Sequence, residues 1–217
     1  MRTVLYGATG NVGSRILAEL LSRGHEVTAV VRHPEKLAAR PRLTMHQGDL
    51  SSVEAIAKAV DGAQAVVSAY GAPHDRPEEV IDVTKREIQA VQQVSQQASS
   101  SGHAPRLVVV GGAGSLEIAP GVALVSTPDF PSAWKAGALA HQKALELLRA
   151  SSIDWTYLSP SAILEPGERT GTFGLGKDAL LTAPGGKSWI SVEDYAIALV
   201  DELERPPHRR QRFTVGY

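Results

Sequence analysis

The sequence predicts an α/β protein built on a doubly wound parallel sheet, with a small appendage towards the C-terminus. Short apolar runs, which do not alternate with polar residues, are separated by stretches of helical periodicity along most of the chain. Uninterrupted apolar strands of this kind are typical of parallel sheets covered by helices on both faces. Right-handed crossovers between such strands produce the doubly wound arrangement. The regular alternation ends at Pro160, where the appendage begins.

The first half of the chain predicts strands connected by short helices. Apolar residues recur at helical spacing from Ile16 to Leu21, and Gly24 closes this first helix. Ser51 or Ser52 caps a second helix, which ends before the fourth strand. The strands are predicted over residues 4–6, 27–31, 43–47 and 65–69.

The second half of the chain predicts longer helices between its strands. From Ile81 onward, apolar and small residues recur at alternating spacings of three and four, which predicts one helix over residues 78–100. Ser191 opens the last helix. The remaining elements are a helix over residues 132–150 and strands over 107–110, 155–158 and 213–215.

The appendage is rich in Gly, Pro and Thr, and its elements are short. We expect a hairpin in which residues 172–173 pair with residues 180–182. Ligands bind at the carboxyl ends of the strands in open α/β sheets. The sequence therefore predicts a single domain over residues 1–217, with residues 160–190 as an insertion on the substrate side.

Composition excludes several classes of function. The chain has 217 residues, of which 43% are hydrophobic and 21% are charged, as in ordinary soluble domains. Without cysteine, it has no disulfide and no thiolate chemistry. A net charge of -1 argues against a nucleic-acid partner. No apolar run suits a membrane span, and no His, Asp and Glu set has metal-ligand spacing. We expect a cytoplasmic protein that does not bind membranes.

The strongest signal is a glycine-rich loop between the first strand and the first helix. Glycines there allow a tight turn, a close approach of the backbone to a pyrophosphate, and contact between helix and strand. The helix N-terminus provides unpaired N–H groups for the anion. We therefore expect dinucleotide binding, the alternative being a loop that binds nothing. The loop consists of Gly7, Ala8, Thr9, Gly10, Asn11, Val12 and Gly13.

The second strand ends in a basic residue, Arg32. An acidic residue at this place would bind the adenosine ribose hydroxyls, whereas an arginine can hold a 2′-phosphate. The sequence therefore favours NADPH over NADH, although a solvated strand end is the simpler reading of a single arginine. Asp49 follows the third strand and either faces the adenine or caps the next helix.

Several segments together resemble the atypical short-chain dehydrogenase/reductases. They are GATGNVG, VVRHPEKL, GDL, LVVVGGAGSL and ISVEDYA. Within this family the chain is most similar to the NmrA-like, NAD(P)H-binding proteins described as NADH-flavin reductases and akin to biliverdin reductase B. The resemblance implies a Rossmann-like fold with a nicotinamide cofactor across the strand ends. Besides the loop and Arg32, the cofactor-binding residues that it implies are Asp49, Leu50, Ser68, Ala69, Tyr70, Gly71, Gly111, Gly112 and Pro160.

The chain departs from the wider family on the helix after the fifth strand. Most short-chain dehydrogenases carry Tyr-x-x-x-Lys there, with the tyrosine as the proton donor. Here Leu139 stands four residues before Lys143, and no neighbouring register restores the tyrosine. Reduction of a ketone, which needs an acid beside the carbonyl oxygen, is therefore in doubt. Lys143 either reaches the ribose or is solvated.

Hydride transfer to a conjugated acceptor does not need this acid, because the acceptor spreads the charge over its own rings. We therefore expect an NADPH-dependent reductase of a flavin (FMN or FAD), a quinone or a similar planar molecule. The candidate residues on the acceptor side are Ser115, Ser161 and Tyr70, beside Lys143; Ser115 could instead stabilise its loop. One alternative is a regulator that senses NADP(H) without turnover, and another is an epimerase/dehydratase-like enzyme. Long helices on the sheet faces would permit a homodimer.

Overall fold

The computed structural model describes residues 1–98 and 104–217 as an α/β fold. Its helices are α1 (Asn11–Ser22), α2 (Val53–Val60), α3 (Glu79–Ala98), α4 (Ser132–Ala150) and α5 (Val192–Glu204), with single 3-10 turns at Pro34–Lys36 and Leu124–Ser126. Its strands are β1 (Arg2–Tyr6), β2 (Glu26–Val31), β3 (Leu43–Gln47), β4 (Ala65–Ser68), β5 (Arg106–Val110), β6 (Glu117–Ala119), β7 (Val122–Ala123), β8 (Trp155–Pro160), β9 (Ile163–Glu165), β10 (Gly174–Gly176), β11 (Trp189–Ser191) and β12 (Gln211–Gly216). None of the helices in this described part is long and apolar enough to cross a membrane.

The main sheet confirms the predicted fold class. It has eight strands in the order β10-β12-β8-β5-β4-β1-β2-β3. All neighbouring pairs are parallel except β10 and β12, which are antiparallel at one edge. The strand order reverses between β1 and β4, so the crevice in which doubly wound sheets bind ligands opens at the carboxyl ends of these two strands.

Two apolar layers cover the sheet. On one face, α1 and α5 pack against Leu5, Val67, Val108 and Phe213. On the other face, α2, α3 and α4 pack against alternate residues of the same strands, such as Tyr157. Strands that bury both faces explain why the sequence shows continuous apolar runs rather than alternation.

The helix starts follow the predicted caps. Ser52 Oγ accepts the N–H of Ala55 at the start of α2, so Ser52 rather than Ser51 is the N-cap. Ser191 Oγ likewise accepts the N–H of Asp194 at the start of α5. The predicted end of the long helix at Ser100 lies outside the described residues.

The predicted hairpin in the appendage is wrong. Residues 174–176 form β10, which pairs with β12 at the sheet edge. The Leu180 N–H instead donates to the Glu117 carbonyl at 2.8 Å, close to β6. The physical reason is that β12 would otherwise leave its backbone N–H and C=O groups unpaired at the sheet edge, and β10 pairs with them instead of forming a hairpin. The role of residues 160–190 as a substrate-side insertion stays a prediction.

Candidate functional site

The glycine loop fills the turn from β1 into α1, and two of its three glycines are sterically required. Gly7 has a φ of 78°, and a Cβ on it would lie 2.2 Å from the carbonyl oxygen of Ala69. A Cβ on Gly13 would lie 2.0 Å from the carbonyl oxygen of Gly7. Both contacts are with backbone that cannot move aside, so only glycine fits at either position. Gly7 and Gly13 are therefore packed against backbone with no space for side chains of their own.

The exposed surface of this loop is the start of α1. Gly10 is the N-cap, and no side chain caps the helix. Thr9, Gly10 and Asn11 are exposed, whereas Ala8 is buried in the core and Val12 is half-buried. The first N–H groups of a helix lack intrahelical partners and attract anions. The glycine loop and the start of α1, residues 7–13, form a cradle that fits the pyrophosphate of a dinucleotide. Thr9 to Gly13 would hold it.

The ends of β2 and β3 add a basic and an acidic side chain beside this cradle. Arg32 is exposed at the end of β2, while the adjacent His33 contacts Glu35 at 3.1 Å. Asp49 Oδ1 accepts the N–H of Ser51 at 2.9 Å and does not cap α2. The hydrogen bonds from Ser51, and then the charges of Arg32 and Arg86, lower the pKa of Asp49. Arg32 and Asp49 thus lie near each other. Asp49 is not the N-cap of α2, so the alternative in which it caps this helix is excluded.

Leu50 and Ser68 are buried, and a carboxyl group lies behind Ser68. Glu87, on α3, is 1% exposed. Burial raises the pKa of Glu87 to about 7, although a hydrogen bond from Ser68 opposes the shift. Glu87 Oε1 and the hydroxyl of nearby Tyr6 have no hydrogen-bond partner within the described residues. The predicted ribose-side residue Ser68 therefore contacts a carboxyl group that titrates near neutral pH.

The residues after β4 form the next part of the crevice rim. Tyr70 is half-buried, and its hydroxyl donates to Glu79 Oε2 at 2.7 Å. Burial and the Glu79 carboxylate raise the pKa of Tyr70 to about 12, so the phenol is neutral at pH 7. Gly71 is exposed, and a Cβ on it would meet nothing within 4 Å. Steric need therefore explains Gly7 and Gly13 but not Gly71.

The two residues that follow β5 are glycines, so this part of the rim has no side chains. A Cβ on Gly111 would lie 2.1 Å from Cε1 of Tyr157. The Gly112 N–H donates to Tyr157 Oη at 3.0 Å. Pro160 ends the neighbouring strand β8 and is buried. Sequence reasoning missed Tyr157, because its contact with the glycine pair depends on β5 and β8 being neighbours in the sheet.

The candidate residues on the acceptor side have partners within the protein. Ser115 Oγ accepts from Arg212 Nη1 at 3.3 Å, and Ser161 Oγ donates to the Val215 carbonyl at 2.9 Å. Lys143 is exposed and pairs with Glu146 at 2.8 Å. These contacts do not bring the three side chains to one point, and their roles toward a substrate stay predictions. Within residues 1–98 and 104–217, no His, Asp and Glu group could hold a metal.

Comparisons with known proteins show relatives that share the sequence and the fold of the whole chain. A family model described as NAD(P)H-binding matches residues 7–206. Protein YwnB of Bacillus subtilis (strain 168) is 37% identical over 99% of this chain and 98% of its own length. A "putative NADH-flavin reductase" from Streptococcus pneumoniae TIGR4 has 36% identity and a TM-score of 0.87, covering 100% of this chain and 99% of that chain. A "putative exported protein" from Burkholderia pseudomallei has 43% identity and a TM-score of 0.89, covering 100% of both chains.

The chain therefore belongs to the NAD(P)H-binding family. Its fold is that of the atypical short-chain dehydrogenase/reductases, which confirms the resemblance drawn from the motifs. The chain spans 54% of cinnamoyl-CoA reductase 2 from Arabidopsis thaliana, at 29% identity. The chain has the fold of NAD(P)H-linked oxidoreductases.

Proposed function

We propose that the protein is an NADPH-dependent reductase of planar conjugated acceptors such as flavins and quinones. The observation that carries the proposal is the glycine cradle between β1 and α1, where Gly7 and Gly13 leave no room for a Cβ. It lies at the reversal of strand order, where doubly wound sheets bind nucleotides. Support also comes from the S. pneumoniae structure, which is described as a "putative NADH-flavin reductase".

Arg32 supports a preference for NADPH. Its side chain is exposed at the end of β2, where the adenosine ribose of a dinucleotide on the cradle would lie. A guanidinium can form paired hydrogen bonds with a phosphate, and Arg32 stands where an acidic residue would otherwise bind ribose hydroxyls. Asp49 remains the candidate for the adenine edge.

The rest of the crevice rim suits hydride transfer in which the protein provides no general acid. Bound NADPH would supply the hydride, and the proton that completes reduction would come from solvent. On α4, the residues that face the end of β5 are Ala138, which packs on Gly114, and His141, which packs on Gly112. Burial lowers the pKa of His141 to about 4, so its imidazole is neutral at pH 7 and is a poor proton donor. The protein's part in the reaction is then binding and orientation.

The test is the oxidation of NADPH, followed at 340 nm with FMN and with the quinone menadione as separate acceptors. We expect acceptor-dependent oxidation that is faster with NADPH than with NADH. A parallel reaction without protein measures direct reduction of the acceptor. Tight nucleotide binding with no oxidation by either acceptor would contradict the reductase and favour an NADP(H) sensor, which the absence of a proton donor on α4 also suits. The proposal places the reaction in the cytoplasm, where NADPH is available.

A further inference from the structure

Buried tyrosines hold the carboxyl end of β5 from both faces of the sheet. On the α4 side, Tyr157 Oη accepts the N–H of Gly112 at 3.0 Å. On the α5 side, Tyr195 Oη donates to the Leu158 carbonyl at 2.7 Å, and this same carbonyl accepts the Gly111 N–H at 2.8 Å. Both tyrosines are 0% exposed, so neither hydroxyl reaches a ligand directly. Their effect on the site must pass through the backbone of the glycine pair.

The glycine pair presents its backbone as the wall of the crevice. The Tyr157 ring occupies the space where a Gly111 side chain would be, and His141 lies 3.1 Å from the place of a Gly112 Cβ. Gly112 itself is half-buried, on the strand next to β4 and the reversal of strand order. A wall without side chains lets a flat ring approach closely, and its position depends on what fixes the backbone.

The Tyr157 hydroxyl has a complete set of partners. It lies 3.1 Å from the carbonyl oxygen of His141 and 3.3 Å from His141 Nδ1. The single phenolic proton can go to the carbonyl, which leaves both lone pairs for the N–H of Gly112 and an Nδ1–H of His141. A fully satisfied buried network of this kind is rigid, and loss of the hydroxyl leaves buried donors unpaired.

We propose that Tyr157 is a positioning residue for hydride transfer: its hydroxyl fixes the Gly111–Gly112 backbone, which in turn orients the nicotinamide ring of bound NADPH. The inference rests on the proposed function, since it requires a dinucleotide in the crevice. Displacing a reacting ring by about 1 Å can reduce a rate by as much as about 100-fold. The phosphates would be held at β1, two strands from β5, and the 2′-phosphate at β2, three strands from β5. Tyr157 should therefore affect turnover and leave affinity largely unchanged.

The test is Tyr157→Phe, which removes one oxygen and keeps the ring against Gly111. We expect kcat for NADPH oxidation with menadione to fall about tenfold, while the Kd for NADPH changes less than about twofold. A second measurement needs no acceptor: the nicotinamide emission of bound NADPH reports the surroundings of the ring. We expect NADPH bound to the unaltered protein to emit more strongly than free NADPH. This enhancement should be largely lost in the variant.

Tyr217→Phe is the matched control. Tyr217 Oη donates to Asp194 Oδ2 at 2.7 Å and lies 2.9 Å from Ser191 Oγ, so this variant also loses a hydrogen-bonded tyrosine hydroxyl. A general loss of stability would affect both variants alike, whereas a positioning role predicts normal emission of bound NADPH and a normal Kd for NADPH in Tyr217→Phe. Unchanged kcat and emission in Tyr157→Phe would overturn the inference, as would a Kd that rises in proportion to the loss of kcat. Failure of the unaltered protein to bind NADPH would overturn the proposed function, and the inference with it.

Discussion

In the proposed function, Arg32 is the residue that distinguishes NADPH from NADH. A charge-assisted hydrogen bond contributes about 1.5–3 kcal/mol, and exposure places this one at the lower end. We expect Arg32→Ala to raise the Kd for NADPH about tenfold and to change the Kd for NADH less than about twofold. Calorimetric titration of the variant with each nucleotide measures both values.

Arg205→Ala is a suitable control for this experiment. Arg205 is also exposed, but it follows the C-terminal end of α5, away from the glycine loop. Removing its charge should leave both Kd values unchanged. Equal weakening of NADPH and NADH by Arg32→Ala would show that Arg32 does not recognise the 2′-phosphate.

Glu87 gives the fold a dependence on pH. Its pKa is about 7 in the folded chain, because of burial, and about 4.3 when unfolded. A raised pKa means that stability is fully present below about pH 4 and is lost as the pH rises through 7. Relative to Glu87→Gln, we expect the unaltered protein to lose about 3 kcal/mol of unfolding free energy between pH 5 and pH 8. Urea unfolding of both proteins across this range measures the difference, and a constant difference would contradict a buried titrating carboxyl.

Local sequence predicted the glycine loop of the site but not the long-range partners of its side chains and backbone. The glycine loop was predictable because local sterics and the helix start at Asn11 determine it. The partners of Ser161 and of Gly112 were not, since Val215 and Tyr157 are distant in the chain. Such contacts depend on which strands are neighbours, and no local pattern encodes that order.

At the scale of elements, the start of α5 fixes the segment that precedes β10. Asp194 is buried, and its carboxylate accepts from the N–H groups of Thr170 and Gly171, each at 2.9 Å, and from Tyr217 Oη at 2.7 Å. Burial raises the pKa of Asp194, but these hydrogen bonds outweigh it and the net shift is downward. The segment from 166 to 172 is therefore held in place by α5 rather than by its own secondary structure.

Asp194→Asn tests this attachment. An amide has one accepting oxygen and an NH2 donor in place of the other, so we expect a loss of about 2 kcal/mol of unfolding free energy at pH 7. A lowered pKa means that the carboxylate contributes its stability above about pH 4, and that the contribution is lost as the pH falls through the folded value. The deficit of the variant in chemical unfolding should therefore shrink in acid.

Asp82→Asn controls for loss of an aspartate charge. Asp82 is exposed on α3 and pairs with Lys85 at 3.0 Å. A surface ion pair contributes about 0–1 kcal/mol, so this variant should unfold almost as the unaltered protein does. If Asp194→Asn costs no more than Asp82→Asn, α5 does not hold the segment.

Element by element, the predictions succeeded where local periodicity was strong. The helix over Ser132–Ala150 and the strand over Leu43–Gln47 have the predicted bounds. The hairpin failed because short Gly-rich strands such as β10 have little periodicity of their own, and pairing with β12 decided their structure. The sequence could indicate an appendage there but not its topology.

At the scale of the whole molecule, the parallel sheet brings the ends of β1, β2, β4 and β5 to one edge. Arg32, the glycine cradle and the Gly111–Gly112 wall come from distant parts of the chain and line one crevice in that order across the sheet. The fold accounts for the family, and the side chains around the crevice account for the proposed preference for NADPH and for catalysis without an acid on α4.

The most direct test of this account is calorimetric titration of the protein with NADPH and with NADH under the same conditions. The account predicts one bound dinucleotide per chain, with NADPH bound about tenfold more tightly, as a phosphate contact by Arg32 requires. Gly13→Ala, whose Cβ would lie 2.0 Å from the Gly7 carbonyl oxygen, should abolish the binding of both. Tighter binding of NADH would contradict the role of Arg32, and no binding of either nucleotide would contradict the account as a whole.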